Sequence, residues 1–93
     1  MITIRIPTPL RAYTEGKAKV NVSGAKVQEA LDALMATYPQ LSKHLLNSEG
    51  QLRSFINIYV GDEDIRFLDK GETELLDGDE LSIIPSIAGG QGA

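Results

Sequence analysis

A chain of 93 residues has room for one domain with one core and leaves little from which to build a buried cleft, so surfaces and termini are the expected functional regions and an enzyme is disfavoured. Its formal net charge of −4 argues against a nucleic-acid binder, because phosphate recognition rests on clustered Lys and Arg. The absence of cysteine excludes a disulfide framework, a thiolate nucleophile and a cysteine-based metal site.

The chain opens as Met-Ile-Thr-Ile-Arg-Ile-Pro, with neither a basic leader followed by an apolar stretch nor any run of membrane-spanning length, so a soluble, cytoplasmic protein is expected. Ile2, Ile4 and Ile6 alternate with Thr3 and Arg5, the period of a half-buried strand, which Pro7 and Pro9 end. Residues 10–18 read as a loop, and Val20 and Val22 alternate with Lys19 and Asn21, so the opening is a predicted hairpin. Ser23-Gly24 offers a helix cap region. Val27, Ala30, Leu31, Leu34, Met35 and Tyr38 follow at helical spacing, and Pro39 stops that helix by disfavouring helical geometry in the residue before it. Leu41, Leu45 and Leu46 suggest one further helical turn.

Residues 55–60, Phe-Ile-Asn-Ile-Tyr-Val, are too rich in aromatic and β-branched side chains for a helix and predict a strand turned by Gly61-Asp62. Ile65 to Leu68 reads as a short strand. Asp77-Gly78-Asp79 forms a turn into a last strand over Leu81 to Ile84, closed by Pro85. The apolar pattern then stops. Residues 1–87 are expected to form the domain and residues 88–93, Ala-Gly-Gly-Gln-Gly-Ala, a flexible tail.

One amphipathic helix covers one face of a sheet of four to five strands, which gives a two-layer α+β domain with the other face open. If Ile2, Ile4, Ile6, Leu81 and Ile83 face the helix, the open face carries Thr3, Arg5, Ser82 and Ile84. The middle strand adds either Asn57 and Tyr59 or Ile56 and Ile58 there. Asn57 and Tyr59 are favoured, because aliphatic side chains suit a core better than an Asn does. That face is a candidate partner surface, with Asn57, Tyr59 and Ile84 among its contacts.

Charge is uneven. Residues 1–60 hold seven of the nine basic residues and four of the thirteen acids, whereas residues 61–80 hold nine acids against Arg66 and Lys70. The acidic stretch reads either as solvated turns or as a docking surface for a basic partner. Catalytic constellations are absent: His44 is the only histidine, Asp62-Glu63-Asp64 lacks the ligand spacing of a calcium loop, and no serine has a base assigned by the sequence. No metal site and no cofactor of its own is expected. Gly89-Gly90 is the remaining anomaly, and on composition it reads equally as a flexible end or as a slim segment that brings a main-chain carboxylate into a narrow channel.

The run from Ser54 through Phe67, then Asp77 through Pro85 to Gly89-Gly90, resembles the MoaD/ThiS ubiquitin-like sulfur carriers, and most of all the CysO-like carriers used for cysteine synthesis. Ile4 to Arg11 fits the same subgroup. The resemblance implies a β-grasp fold and a protein that is not itself an enzyme. It also implies that an E1-like enzyme adenylates the carboxylate of Gly90 and that a sulfur donor converts the acyl-adenylate to a thiocarboxylate. A PLP-dependent cysteine synthase would then supply an aminoacrylate for the thiocarboxylate to attack, and a metalloprotease would release the cysteine. Gly90 would bear the sulfur, Gly89 and Ala88 would thread the partner's channel, and Pro85 and Ile87 would touch its entrance. A lack of cysteine fits a carrier whose sulfur sits on a main-chain carbon.

Carriers of this kind end at Gly-Gly, whereas Gln91-Gly92-Ala93 follows here, so Gly90 holds an amide until those residues are removed. Either a protease trims them, the metalloprotease being a candidate, or they are foreign to the native chain. Molybdopterin or thiamin synthesis, protein modification by the activated glycine, and a β-grasp binding module that is never activated are the alternative functions.

Overall fold

A computed structural model describes residues 1–86. Five strands form one mixed sheet: β1 (Ile2–Arg5), β2 (Lys19–Val22), β3 (Ile56–Val60), β4 (Glu63–Asp64) and β5 (Glu80–Pro85), in the order β2-β1-β5-β3-β4. Only β1 and β5 run parallel, with Ile4 opposite Leu81; every other pairing is antiparallel. The main helix, α1 (Val27–Thr37), packs on one face, and a short helix, α2 (Ser42–Leu45), follows it. This is the β-grasp arrangement.

The core sits between α1 and the sheet. Val27, Ala30, Leu31 and Leu34 are buried on the helix, as the periodicity predicts, and Met35 and Tyr38 close the stripe half-buried. They meet Ile2, Ile4, Ile56, Ile58, Leu81 and Ile83 from the three central strands. Leu41 and Leu45, from the predicted further turn, are fully buried beside them.

Five local expectations are corrected. Ser23-Gly24 does not cap α1: its cap residue is Lys26, in extended geometry and without a side-chain bond. The start of the helix is instead held by one long-range and one local hydrogen bond. The Val27 N–H donates to the Thr73 carbonyl (3.0 Å), and the Glu29 carboxylate accepts from the Ala25 N–H (2.8 Å). Gly24 is needed for close approach, since a Cβ there would stand 2.8 Å from the Ala30 nitrogen. Residues 10–18 are not wholly a loop, because Thr8–Tyr13 form a 3-10 turn opened by Pro9.

The first strand ends at Arg5 instead of Ile6. Ile6 stays buried and its N–H bonds to the Ala18 carbonyl at 2.8 Å. Ile65–Phe67 is a 3-10 turn rather than a strand, because the Asp64 carboxylate captures the Arg66 N–H (2.9 Å) and so offers the backbone an alternative to the ladder. The short strand is Glu63–Asp64, one step earlier.

Finally, Pro85 belongs to β5 instead of closing it. The pairing of β5 with β1 ends at Ser82, so on that side no ladder bond is asked of the proline nitrogen.

Leu31 is 2% exposed and lies in the middle of the stripe, so Leu31→Ala is expected to lower unfolding stability by roughly 2–5 kcal/mol through loss of apolar contact and the cavity left behind. Urea titration of the two proteins measures this, and a change below about 1 kcal/mol would mean that the helix does not form the core as described.

Candidate functional site

The far face of the sheet and the exit of β5 form the candidate site. Register decides the face. Asn57 stands opposite Ile84 and Tyr59 opposite Ser82, while Ile56 and Ile58 are buried toward α1. The reading with Asn57 and Tyr59 outward is therefore the one the fold adopts. Thr3, Arg5, Ser82 and Ile84 share that face, and Ile84 is 46% exposed although it is a large aliphatic.

Polar contacts hold this face in place. Thr3 donates from Oγ1 to Asn21 Oδ1 (2.9 Å), and Arg5 Nη1 lies 3.5 Å from Glu80 Oε1. At the β4 edge Arg66 is clamped. Its Nη2 donates to Asp64 Oδ2 at 2.8 Å and to the amide oxygen of Asn57, and its Nε reaches both Asp64 oxygens at 3.2 Å. Asp64 is 8% exposed and accepts these bonds together with the Arg66 N–H. The side-chain donors of Arg66 and then its backbone N–H hold the Asp64 carboxyl below the usual carboxylate range, against the opposing pull of burial. The same pair raises the Arg66 guanidinium.

Pro85 pairs with Ile56, and the Ser86 N–H donates to the Phe55 carbonyl at 2.6 Å, the last backbone hydrogen bond along the described residues. The site residues expected at Ile87, Ala88, Gly89 and Gly90 lie outside the described residues. The fold thus brings together Asn57, Tyr59, Ile84 and Pro85 on adjoining positions of β3 and β5.

Sequence reasoning missed the clamp of Arg66 on Asp64 and Asn57. The i, i+2 spacing of Asp64 and Arg66 was the available signal. His44 lies against Tyr13, ring centroids 4.2 Å apart and stacked, and so serves packing at the end of α2.

A cavity of about 220 Å³ lies on the helix side, lined by Val27, Leu31, Ile58 and Ile65 with Ser54, Asp64 and Arg66 among its polar members. Its one carboxylate is committed to Arg66 and so is not free to serve Ser54 as a general base. Among the described residues no group of three or more His, Asp or Glu side chains is placed to hold a metal, and no helix is long and apolar enough to cross a membrane.

Comparison with known proteins places these features. Residues 4–90 match the ThiS family. The sulfur carrier protein CysO of Mycobacterium tuberculosis is 42% identical over 91 residues, covering 96% of this chain and 98% of its own. Among solved structures, a chain of the Amycolatopsis orientalis BexX/CysO complex superposes with a TM-score of 0.86 at 42% identity, covering 97% of this chain and 100% of that one. The small archaeal modifier protein 1 of Methanosarcina acetivorans also reaches 0.86, at 30% identity, covering 96% and 95%.

The depressed Asp64 carboxyl has a stability consequence with a definite sign. Above the ordinary carboxylate pKa of about 4 the ionised Asp64 stabilises the fold, and that contribution is lost as pH falls through the lower folded value, because the unfolded chain binds the proton first. Asp64→Asn is expected to be less stable near pH 7, with the gap to the wild type narrowing toward about pH 3. Asp77, also depressed by the amino group of Met1, is present in both proteins and cancels. Denaturation midpoints across that range test this, and parallel curves would exclude the role given to Asp64.

Proposed function

The chain belongs to the ThiS family and resembles the CysO sulfur carriers over nearly its whole length, and from that premise we propose that it carries sulfur as a thiocarboxylate on Gly90. The observation that supports this most is the extent of the family match. It ends at Gly90 and leaves only Gln91-Gly92-Ala93 beyond it. In the proposed cycle those three residues are removed, the Gly90 carboxylate attacks the α-phosphorus of ATP, and pyrophosphate leaves. A sulfide donor then attacks the acyl-adenylate and expels AMP, which leaves a thiocarboxylate. Adenylation is needed because a carboxylate oxygen is a poor leaving group and AMP a good one.

The partners in this reading are an E1-like adenylating enzyme, a PLP-dependent cysteine synthase that accepts the sulfur, and a metalloprotease that trims the tail or releases product, all in the cytoplasm. The 42% identity to CysO supports cysteine biosynthesis as the destination. A relative from Amycolatopsis was solved as a BexX/CysO complex, which supports a carrier that works by docking on a protein. Asn57, Tyr59 and Ile84 on the open face, with Pro85 and Ile87 at the exit, are the proposed contacts, while Ala88 and Gly89 thread the channel. Nothing in this reading asks the domain itself for catalysis.

A second reading is favoured by one finding: the archaeal relative of equal TM-score is named a modifier protein. The activated Gly90 would then join a lysine of another protein.

The chain ending at Gly90, incubated with an E1-like enzyme of the same organism, ATP and sulfide, is expected to gain the mass of sulfur replacing oxygen. The chain ending at Ala93 is expected to gain nothing. Gly90→Trp in the shortened chain should abolish the gain and leave the melting curve unchanged. Equal labelling of both chain lengths would sink the assignment to Gly90, and slow-migrating conjugates in cells would favour the modifier.

A further inference from the structure

The end of the domain from which the chain leaves is basic, although the protein as a whole is acidic. Two concavities flank Pro85. One is lined by Arg5, Pro7, Arg11 and Ile84, and the other by Pro9, Lys43, His44, Arg53 and Phe55. Neither lining contains a carboxylate.

The cations there are fixed in ways that leave their charge uncompensated. Arg11 donates from Nε to the Ile6 carbonyl (3.1 Å) and Arg53 from Nη2 to the Lys43 carbonyl (3.0 Å). Among the described residues Arg11, Lys43 and Arg53 make no ion pair, and only Arg5 has an acidic neighbour, Glu80. Carbonyl oxygens orient a guanidinium without neutralising it. The second concavity, of about 340 Å³, has an apolar floor that includes Phe55, 42% exposed.

We propose that this basic, apolar-floored end is a docking surface for the enzyme that receives the tail, and that the channel mouth of that enzyme carries Asp and Glu around an apolar side chain that enters the recess by Phe55. The inference rests on the carrier reading. Its geometric basis is reach: four residues, 87–90, follow Ser86 up to and including Gly90, and four extended residues span at most about 14 Å. A partner that holds Gly90 at its reactive centre must therefore bring its surface against the end of β5. Complementary charge does the rest. Nine of the thirteen acids lie in residues 61–80, so the field of the domain turns the basic end toward an acidic mouth during encounter. Nucleic acid fits this end poorly, because four cations on a chain of net charge −4 give a weak phosphate track and the recess floor is apolar.

The test follows ATP-dependent pyrophosphate release by the same organism's E1-like enzyme with the chain ending at Gly90. Lys43 is exposed and its side chain makes no hydrogen bond among the described residues, so Lys43→Glu should fold normally, which circular dichroism verifies. Lys43→Glu is expected to raise KM roughly fivefold with kcat unchanged, and to flatten the dependence of KM on salt. Lys70→Glu, the same charge change near the β4 edge, is expected to leave KM within about twofold. Adding Arg53→Gln to Lys43→Glu should raise KM further.

A wild type that releases pyrophosphate while Lys43→Glu and Lys70→Glu share one KM would overturn the docking surface alone. A wild type that releases none overturns the carrier reading and the docking surface with it. Self-association abolished by Lys43→Glu, seen by sedimentation, would make the occupant a second copy and overturn the proposal. Binding of a single-stranded DNA oligonucleotide lost in the same variant would overturn it as well.

Discussion

The parallel pairing of β1 with β5 is the constraint on which the other features depend. Ile4 and Leu81 face one another across it, both fully buried, and they come from near the two ends of the chain. Closing so long a loop costs chain entropy before any long-range contact forms, and the core to which α1 contributes Val27, Leu31 and Leu34 offsets that cost. With β1 on one side and β3 on the other, β5 is the middle strand of five, and its direction is fixed by both neighbours. The chain must then leave past Ser82, where β1 has already ended, and between Pro7 and Phe55.

That exit divides the electrostatics. The acid-rich segment 61–80 runs from the end of β3 to the start of β5, whereas Arg11 of the 3-10 turn after β1, Lys43 of α2 and Arg53 of the connection before β3 gather around the end of β5. Asp64 is the exception within the acidic segment. It is nearly buried and stays ionised because Arg66 supplies its donors, and through Asn57 the same guanidinium ties the β4 edge to the open face. Removing Arg66 would leave the buried Asp64 carboxylate without its donors, and the clamp therefore reads as structural rather than as a poised catalytic acid.

Much of this was legible in the sequence because it is periodic. The stripe from Val27 to Tyr38 and the alternation in β1, β3 and β5 fix which side chains are buried, and the preference of a core for Ile56 and Ile58 over the polar Asn57 is enough to choose the open face. At two of the errors a specific hydrogen bond outweighed the pattern of the surrounding residues. Thr73 holds the start of α1 where Ser23 was expected to, and its identity as a partner is invisible from residues 23–27. The stretch Ile65 to Leu68 has strand-like content, yet one side-chain bond from Asp64 to the Arg66 N–H turns it aside. The basic end escaped notice altogether, since residues 11, 43 and 53 are neighbours only in the fold. Gly89-Gly90 is the opposite case. Its significance came from resemblance to a family, because glycine has no side chain from which chemistry can be read.

The same lack of a side chain constrains how such a carrier is recognised. A glycine tail offers a partner only backbone hydrogen bonds and carries a high entropic cost of ordering, so the free energy that selects the right enzyme has to come from the folded domain. Only surfaces within the tail's short reach of a reactive centre contribute to that selection, which restricts them to the end of β5 and the sheet face beside it. Exposed aliphatic Ile84, the recess at Phe55 and the cations fixed by carbonyl oxygens are all found there. For the proposed carrier, recognition by the domain and reaction at the tail are thereby separated by a few residues. In the carrier reading proposed above, a partner can exchange one chemistry for another at Gly90 while meeting the same surface.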